Sequence, residues 1–362
     1  MNKPASLYIH IPFCNSICDY CDFTKLQYFT IFSKPYLKAL KEELKSYNIG
    51  ELKTIYIGGG TPTCLPDDEF KELLDIIKPY SNDVIEYTVE CNPESLSENK
   101  LILMKEYGVN RLSIGVESTN DQILKSINRK HTFNDVINAV SEARKFGFDN
   151  ISLDLILGLP NVSKNMLKKD IENLIALNVD HISCYSLTVH PNTVFYINGI
   201  EPLPGDLERE LYDLVNEKLK QSGFVHYEIS SWSKGKESLH NLTYWRNQEY
   251  YGCGLGASGY VNGIRYKNVT NIHSYLKNNY VKEKEEVSYK DCLEYEIMLN
   301  LRTRHGLDLE LLKDKYGYDL LSNKKEEIND LIEQKLLYKK SNFLVATYDG
   351  MMILDQIILK LI

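Results

Sequence analysis

No apolar run in this 362-residue chain approaches the roughly 20 residues that a membrane-spanning helix needs. The longest greasy stretch, Met351 to Ile362, is interrupted by Asp355, Gln356 and Lys360. Positive charge is not in excess either. With 42 Lys and Arg against 50 Asp and Glu, the net charge is −8 and the pI about 5.6, so nothing draws the whole chain toward nucleic acid or anionic lipid. Internal repeats and low-complexity segments are missing too. Hydrophobic residues at 43% and charged residues at 25% are ordinary for a folded protein and exclude a disordered, collagenous or disulfide-scaffold chain. The N-terminal MNKPASLYIHIPF has no uninterrupted apolar core and no small-residue cleavage site. It reads as a strand, and the expected location is cytoplasmic.

Cysteine usage is more informative. Of eight cysteines, Cys14, Cys18 and Cys21 crowd into one C-x3-C-x2-C loop, while Cys64, Cys91, Cys184, Cys253 and Cys292 are scattered. A disulfide framework would spread its cysteines in a much shorter, secreted chain. Three thiolates on one polar loop converge naturally on an inorganic centre. Zinc usually takes paired C-x2-C ligands and a fourth donor, whereas an iron–sulfur cube held by three cysteines keeps one iron open for chemistry.

Strand patterns rich in β-branched residues recur at Leu7–Ile11, Thr54–Ile57, Ile85–Glu90, Arg111–Val116, Ile151–Ile156 and His181–Leu187. Helical patterns alternate with them: Pro35–Ser46, Asp67–Lys78, Ser97–Tyr107, Phe133–Phe146 and Asn165–Leu177. Asp67 and Ser97 sit at N-cap positions, and Gly108 and Gly147 at helix ends. About six βα units imply an α/β fold with a parallel sheet, either an open stack or a barrel short of the eight units of a full one. After Leu187 the chain becomes irregular, with a helix predicted at Leu207–Gln221 and a glycine- and aromatic-rich stretch at His240–Gly263. Helices are predicted at Tyr289–Leu301, Leu307–Tyr316 and Lys324–Gln334, then strands Leu336–Lys339 and Phe343–Thr347 around a Ser341–Asn342 turn. Helices followed by a hairpin predict a winged-helix-like α+β module. From Glu286 onward 11 Lys and Arg face 14 Asp and Glu, so it lacks the basic footprint of a DNA reader and no nucleic-acid partner is expected. The expected domains are 1–235, a connecting segment at 236–285, and 286–362.

Further candidates fall at strand ends. Gly58-Gly59-Gly60-Thr61-Pro62 follows the second strand, where glycines let backbone approach a ligand closely. Glu90 ends the third, Glu117 follows the fourth, Asp154 lies late in the fifth and Thr188 follows the sixth. All point to the carboxyl edge of one parallel sheet, where α/β proteins build their sites.

C-x3-C-x2-C with Tyr20 before the last cysteine is similar to the signature of the radical S-adenosylmethionine (SAM) enzymes. Tyr8-Ile9-His10-Ile11-Pro12-Phe13-Cys14 resembles their oxygen-independent coproporphyrinogen III oxidase branch, which also contains HemW-type heme chaperones. The resemblance implies a partial (β/α)6 radical SAM barrel. It further implies a [4Fe–4S] cluster on Cys14, Cys18 and Cys21, and SAM bound to the open iron and reductively cleaved to methionine and a 5′-deoxyadenosyl radical. Tyr8, Tyr20, Gly59, Gly60, Thr61, Glu90, Arg129 and Asp154 match SAM-contacting positions of the family; Glu117 and Thr188 join them by their place at the strand ends. Where the family has Gly-Val-Gln-Ser, this chain has Gly115-Val116-Glu117-Ser118, and a carboxylate accepts from a ribose hydroxyl but cannot donate as an amide does. His10 is the candidate for a catalytic side chain.

His240-Asn241-Leu242-Thr243-Tyr244-Trp245 resembles the His-Asn-x-x-Tyr-Trp motif of the chaperones, which implies heme contacts by His240, Tyr244 and Trp245. A further histidine frequent in the family is Ser258 here. The true oxidases usually carry a fourth cysteine two places after the third; that position is Phe23. The expected function is therefore heme binding and transfer to apo-hemoproteins, with coproporphyrinogen III oxidation as the enzymatic alternative and a zinc adaptor third. Heme is the expected cargo. The implied partners are acceptor hemoproteins, some contacted peripherally at membranes, and an electron donor such as flavodoxin or ferredoxin where SAM is cleaved.

Overall fold

The computed structural model describes residues 3–362. The six expected strands are present as β1 (Ser6–Ile11), β2 (Thr54–Gly59), β3 (Glu86–Cys91), β4 (Arg111–Glu117), β5 (Ile151–Leu157) and β6 (His181–Ser186). They pair in chain order and all in parallel. Helices α1 (Thr30–Ser46), α2 (Asp67–Ile77), α3 (Glu98–Glu106), α4 (Asp121–Ser126), α5 (Phe133–Lys145) and α6 (Lys164–Ala176) lie in the connections, giving a partial barrel of six βα units.

Among the βα units, the start of α1 and the cap of α2 differ from expectation. α1 begins at Thr30, so Pro35 lies inside it. The ladder bond lost to proline is tolerated because Tyr36, Leu37, Leu40 and Leu44 bury the helix face behind it. Pro66 rather than Asp67 precedes α2, and Asp67, Asp68 and Glu69 fill its first turn, where carboxylates suit the helix dipole. Ser97 caps α3 as expected, accepting from the Lys100 amide.

The strands carry two different faces. Leu7, Ile9, Ile55, Ile57, Val89, Leu112, Ile114, Leu153 and Ile182 pack in the core shared with the helices. The alternate positions are Tyr8, His10, Tyr56, Thr88, Glu90, Arg111, Ser113, Asp154, His181 and Ser183, a polar set turned the other way by the two-residue period. The barrel interior is thus polar and its outside apolar, so both faces are buried for different reasons.

The sheet extends beyond six strands. β7 (Val225–Glu228) and β8 (Ser231–Ser233) add antiparallel beyond β6, and β9 (Tyr251–Gly254) adds parallel to β1. The glycine-rich stretch thus supplies a seventh parallel strand that its composition concealed. A Cβ on Gly252 would stand 1.8 Å from the Ser258 carbonyl oxygen, so glycine is what lets β9 and the following turn meet. Helix α7 (Gly205–Gln221) packs outside, and α8 (Leu239–Trp245) carries the His-Asn-x-x-Tyr-Trp motif. A separate antiparallel sheet, β10 (Ser258–Val261), β11 (Ile264–Asn268) and β12 (Val281–Glu286), leads to the C-terminal module.

That module contains α9 (Tyr289–Asn300), α10 (Leu309–Tyr316), α11 (Lys325–Glu333) and α12 (Leu354–Leu361). Strands β13 (Leu307–Asp308), β14 (Leu337–Lys340) and β15 (Phe343–Ala346) pair in the order β13-β15-β14. The expected helix start at Leu307 is a short strand instead, because Leu307 and Asp308 pair with Leu344 and Phe343. The module has its own core around Leu301, Leu312, Leu331, Leu344 and Ile357. Tyr348 donates to Asp213 at 2.6 Å and Arg209 meets Asp349 at 2.8 Å, tying it to α7. Among the described residues no helix is long and apolar enough to cross a membrane.

Candidate functional site

The carboxyl ends of the strands surround a cavity of about 470 Å³. The cysteine loop forms one wall. Its position is set by backbone bonds from Leu26 to Pro12 and from Tyr28 to Cys14, and by Asn128, whose amide donates to the Ile17 carbonyl at 2.7 Å. Asp19 N–H also reaches the Ile127 carbonyl, so the loop is fastened to the turn that carries Arg129.

Cys14, Cys18 and Cys21 all line the cavity and none is in a disulfide. Thr61 donates to Cys14 Sγ at 3.7 Å and Arg129 to Cys18 Sγ at 3.7 Å. Burial pushes the Cys14 thiol up to about 11, against the Thr61 hydrogen bond, and burial raises Cys21 as well. Thiols in this state become ligands when a cationic centre replaces their protons. Among the described residues no three His, Cys, Asp or Glu side chains converge closely enough to grip a single ion. Three thiols of one loop lining one cavity are a donor set that can hold a polynuclear iron–sulfur cluster.

Opposite the loop, Glu90 accepts from Tyr56 Oη at 2.7 Å and from the Gly59 amide at 2.9 Å. It therefore fastens the glycine loop as well as facing the cavity. Burial lifts its carboxyl to about 7. Asp154 accepts from Ser113 at 3.1 Å, and burial raises it too. Gly60 lies against the cysteine loop: its amide bonds the Ile11 carbonyl at 2.8 Å, and a Cβ there would be 2.6 Å from the Phe13 carbonyl oxygen.

Glu117 sits at φ +65, where β4 bulges against β5. Arg129 lies 3.6 Å from it and donates to the Gly115 carbonyl. Burial raises the Glu117 carboxyl and the Arg129 charge lowers it.

Twelve of the residues singled out from the sequence thus share one cavity: Cys14, Cys18, Tyr20, Cys21, Gly59, Gly60, Thr61, Glu90, Glu117, Arg129, Asp154 and Thr188. Others do not reach it. Tyr8 bonds His10 Nδ1 at 2.9 Å, and His10 Nε2 bonds the Thr24 carbonyl at 2.7 Å. Buried and lowered to about 4, His10 has no free nitrogen and braces the wall, contrary to its candidacy as a catalytic group. His240 is fully buried at the other end of the barrel. Its Nδ1 bonds Thr54, the first residue of β2, at 2.8 Å and its Nε2 bonds Tyr244 Oη at 2.7 Å. As folded, the ring offers no nitrogen to an iron, and Tyr244 is spent on the same network. Trp245 lies on that helix, outside the cavity. Tyr56, Ser113 and Tyr185 line the cavity without having been singled out. Two-residue alternation from Thr54, Arg111 and His181 was the signal that marks them.

The Radical SAM superfamily matches residues 8–174, and the HemN C-terminal domain matches residues 287–353. "Heme chaperone HemW" of Lactococcus lactis is 40% identical over 360 residues, covering 97% of this chain and 95% of that one. The Bacillus subtilis protein of the same name is 40% identical over 373 residues, covering 97% of each. The chain belongs to the HemW family. Its fold also resembles the Escherichia coli coproporphyrinogen III oxidase HemN, a radical SAM enzyme, with a TM-score of 0.86 at 20% identity, covering 99% of this chain and 90% of that one. The HemW family and its superfamily bring a [4Fe–4S] cluster and SAM as cofactors, and the donor set just described fits both.

Proposed function

We propose that this protein is a cytoplasmic heme chaperone on a radical SAM core, with the cluster on Cys14, Cys18 and Cys21. Tyr20, Gly59, Gly60, Thr61, Glu90, Glu117, Arg129, Asp154 and Thr188 form the polar wall that would hold SAM. Phe23 carries the choice of chaperone over oxidase. Where the oxidases have a fourth cysteine, this chain presents an apolar ring, 64% exposed at the cavity mouth. The fourth thiol of the oxidases is absent at this position.

Bound there, the cluster would supply one-electron reduction of SAM. The chain's own groups bind and orient. Glu90 offers a carboxylate to an ammonium, held in place by Tyr56 and the Gly59 amide. Asp154, fixed by Ser113, accepts from hydroxyls, and Arg129 keeps Glu117 compensated beside them. An electron donor such as flavodoxin or ferredoxin belongs to this reading where SAM is cleaved, and acceptors include hemoproteins met peripherally at membranes.

The test is anaerobic reconstitution followed by parallel assays. Iron and acid-labile sulfide should be incorporated, and lost in Cys14→Ser, Cys18→Ser and Cys21→Ser but kept in Cys292→Ser. Heme should bind and pass to an apo-hemoprotein, while coproporphyrinogen III with SAM and reductant stays unconverted. Multiple-turnover formation of protoporphyrinogen IX would reassign the protein to the oxidases, and zinc without iron or sulfide would make it an adaptor.

A further inference from the structure

With both ring nitrogens of His240 bonded, a histidine ligand for heme has to come from elsewhere in the chain. The chain has eight. His10, His181 and His240 are buried with both ring nitrogens bonded. His131 is buried on the Val116 carbonyl, and His226 stacks on Trp232 at 4.5 Å with its Nε2 on Tyr212. His273 is exposed and lines neither cavity. His190 lines the cavity already assigned to cluster and SAM. His305 remains.

His305 lines a second cavity of about 640 Å³ at the opposite mouth of the barrel, between the first residue of β3, the residues just before β4 and β5, and the segment leading into β13. That volume lies within the roughly 300–1,000 Å³ of small-molecule and cofactor sites. The His305 side chain is 39% exposed, and Glu237 holds its Nε2 at 2.9 Å. A carboxylate on one ring nitrogen orients the ring and leaves the other, here Nδ1, free as a donor to metal. Ile85 and Leu239 supply an apolar wall, 59% and 38% exposed. Lys236 and Arg304 supply positive charge, as does Lys105, whose Nζ also donates to the Gly147 carbonyl at 3.0 Å. The carboxylates among them are largely committed: Glu86 accepts from the Leu239 and His240 amides, and Glu237 meets Arg304 at 3.1 Å besides His305. Asp149 is the remaining acid of the lining.

We infer that this second cavity is the docking site for heme as cargo, an iron porphyrin bearing two carboxylates. His305 is the axial ligand, Ile85 and Leu239 meet the macrocycle, and Lys105 and Lys236 face the propionates. The inference rests on the chaperone reading and adds the site to it. The His-Asn-x-x-Tyr-Trp helix then contributes through Leu239, its first residue, while His240 anchors that helix beneath.

The experiment titrates hemin into the full chain and records the Soret band and the EPR spin state. Wild type should show a histidine-ligated spectrum. His305→Ala should lose that spectrum and bind at least tenfold more weakly, and added imidazole should restore the spectrum. Lys236→Glu should weaken binding several-fold with the spectrum unchanged, and His190→Ala should match wild type. Wild-type affinity and spectrum in His305→Ala would overturn the site, and loss in His190→Ala instead would move heme to the cluster cavity. Absence of heme binding in the wild type would overturn the chaperone reading itself, and this site with it.

Discussion

Arg129 stands 3.6 Å from Glu117, the carboxylate that occupies the place of the family's glutamine. Both side chains are buried, 6% and 11% exposed. The substitution that looked from the sequence like an added charge beside SAM is therefore half of an ion pair, and the same guanidinium reaches Cys18 Sγ. One arginine links the departure from the family pattern to the cluster loop.

Breaking a buried pair from one side leaves an uncompensated charge and typically costs about 3–5 kcal/mol. Arg129→Gln should cost an amount in that range in the cluster-free chain. Adding Glu117→Gln to it should recover most of the loss. Denaturant unfolding of the two single variants and the double variant measures the coupling. Strictly additive losses would mean that the pair contributes nothing.

Glu90 predicts a pH dependence. Burial raises its carboxyl from 4.5 to about 7, so between those values the folded chain holds a proton that the unfolded chain has released. Stability therefore falls as pH rises through this window, by about 3 kcal/mol at about 1.4 kcal/mol per pH unit. Glu90→Gln should remove that part of the slope, leaving it more stable than wild type at pH 8 in the absence of SAM. SAM affinity should rise from pH 5.5 to 7.5 in wild type, because its ammonium needs the ionised carboxylate, and stay flat in the variant. Parallel slopes for the two proteins would refute the assignment.

His240 predicts a loss of stability. His240→Ala leaves Tyr244 Oη without its partner and Thr54 Oγ1 with Ser6 alone in a closed space, which should cost about 2–4 kcal/mol. Burial lowers the imidazole to about 3, so its folded pKa lies below the unfolded one. That adds an acid-side weakness: stability falls as pH drops below about 6.5, where the unfolded ring gains its proton. Thermal melts at pH 5 and 7 should show a steeper acid loss for wild type than for the alanine variant.

The cysteine loop, the glycine run and the six parallel strands were legible in the sequence because each depends on local spacing. C-x3-C-x2-C brings its thiols together within one loop, and alternation with a following turn marks a strand whatever it pairs with. The ends of those strands also predicted which side of the sheet would carry the site. The rest depended on partners far away in sequence. Glu90 bonds Tyr56 and Gly59 across 34 and 31 positions, and His240 bonds Thr54 across 186. No periodicity records such pairs. β9 was hidden for the same reason, since Tyr251–Gly254 becomes a strand by pairing with β1, Gly252 is there to permit contact with Ser258 and Gly254 to permit contact with His10. Sequence by itself determined which groups can ligate, cap or turn, because those are properties of a residue and its near neighbours. Tertiary structure alone decided which of them are free, since a histidine or a carboxylate is available only after the packed fold has assigned its hydrogen bonds. That is why His240 is sealed in the barrel floor and His305 faces an open cavity.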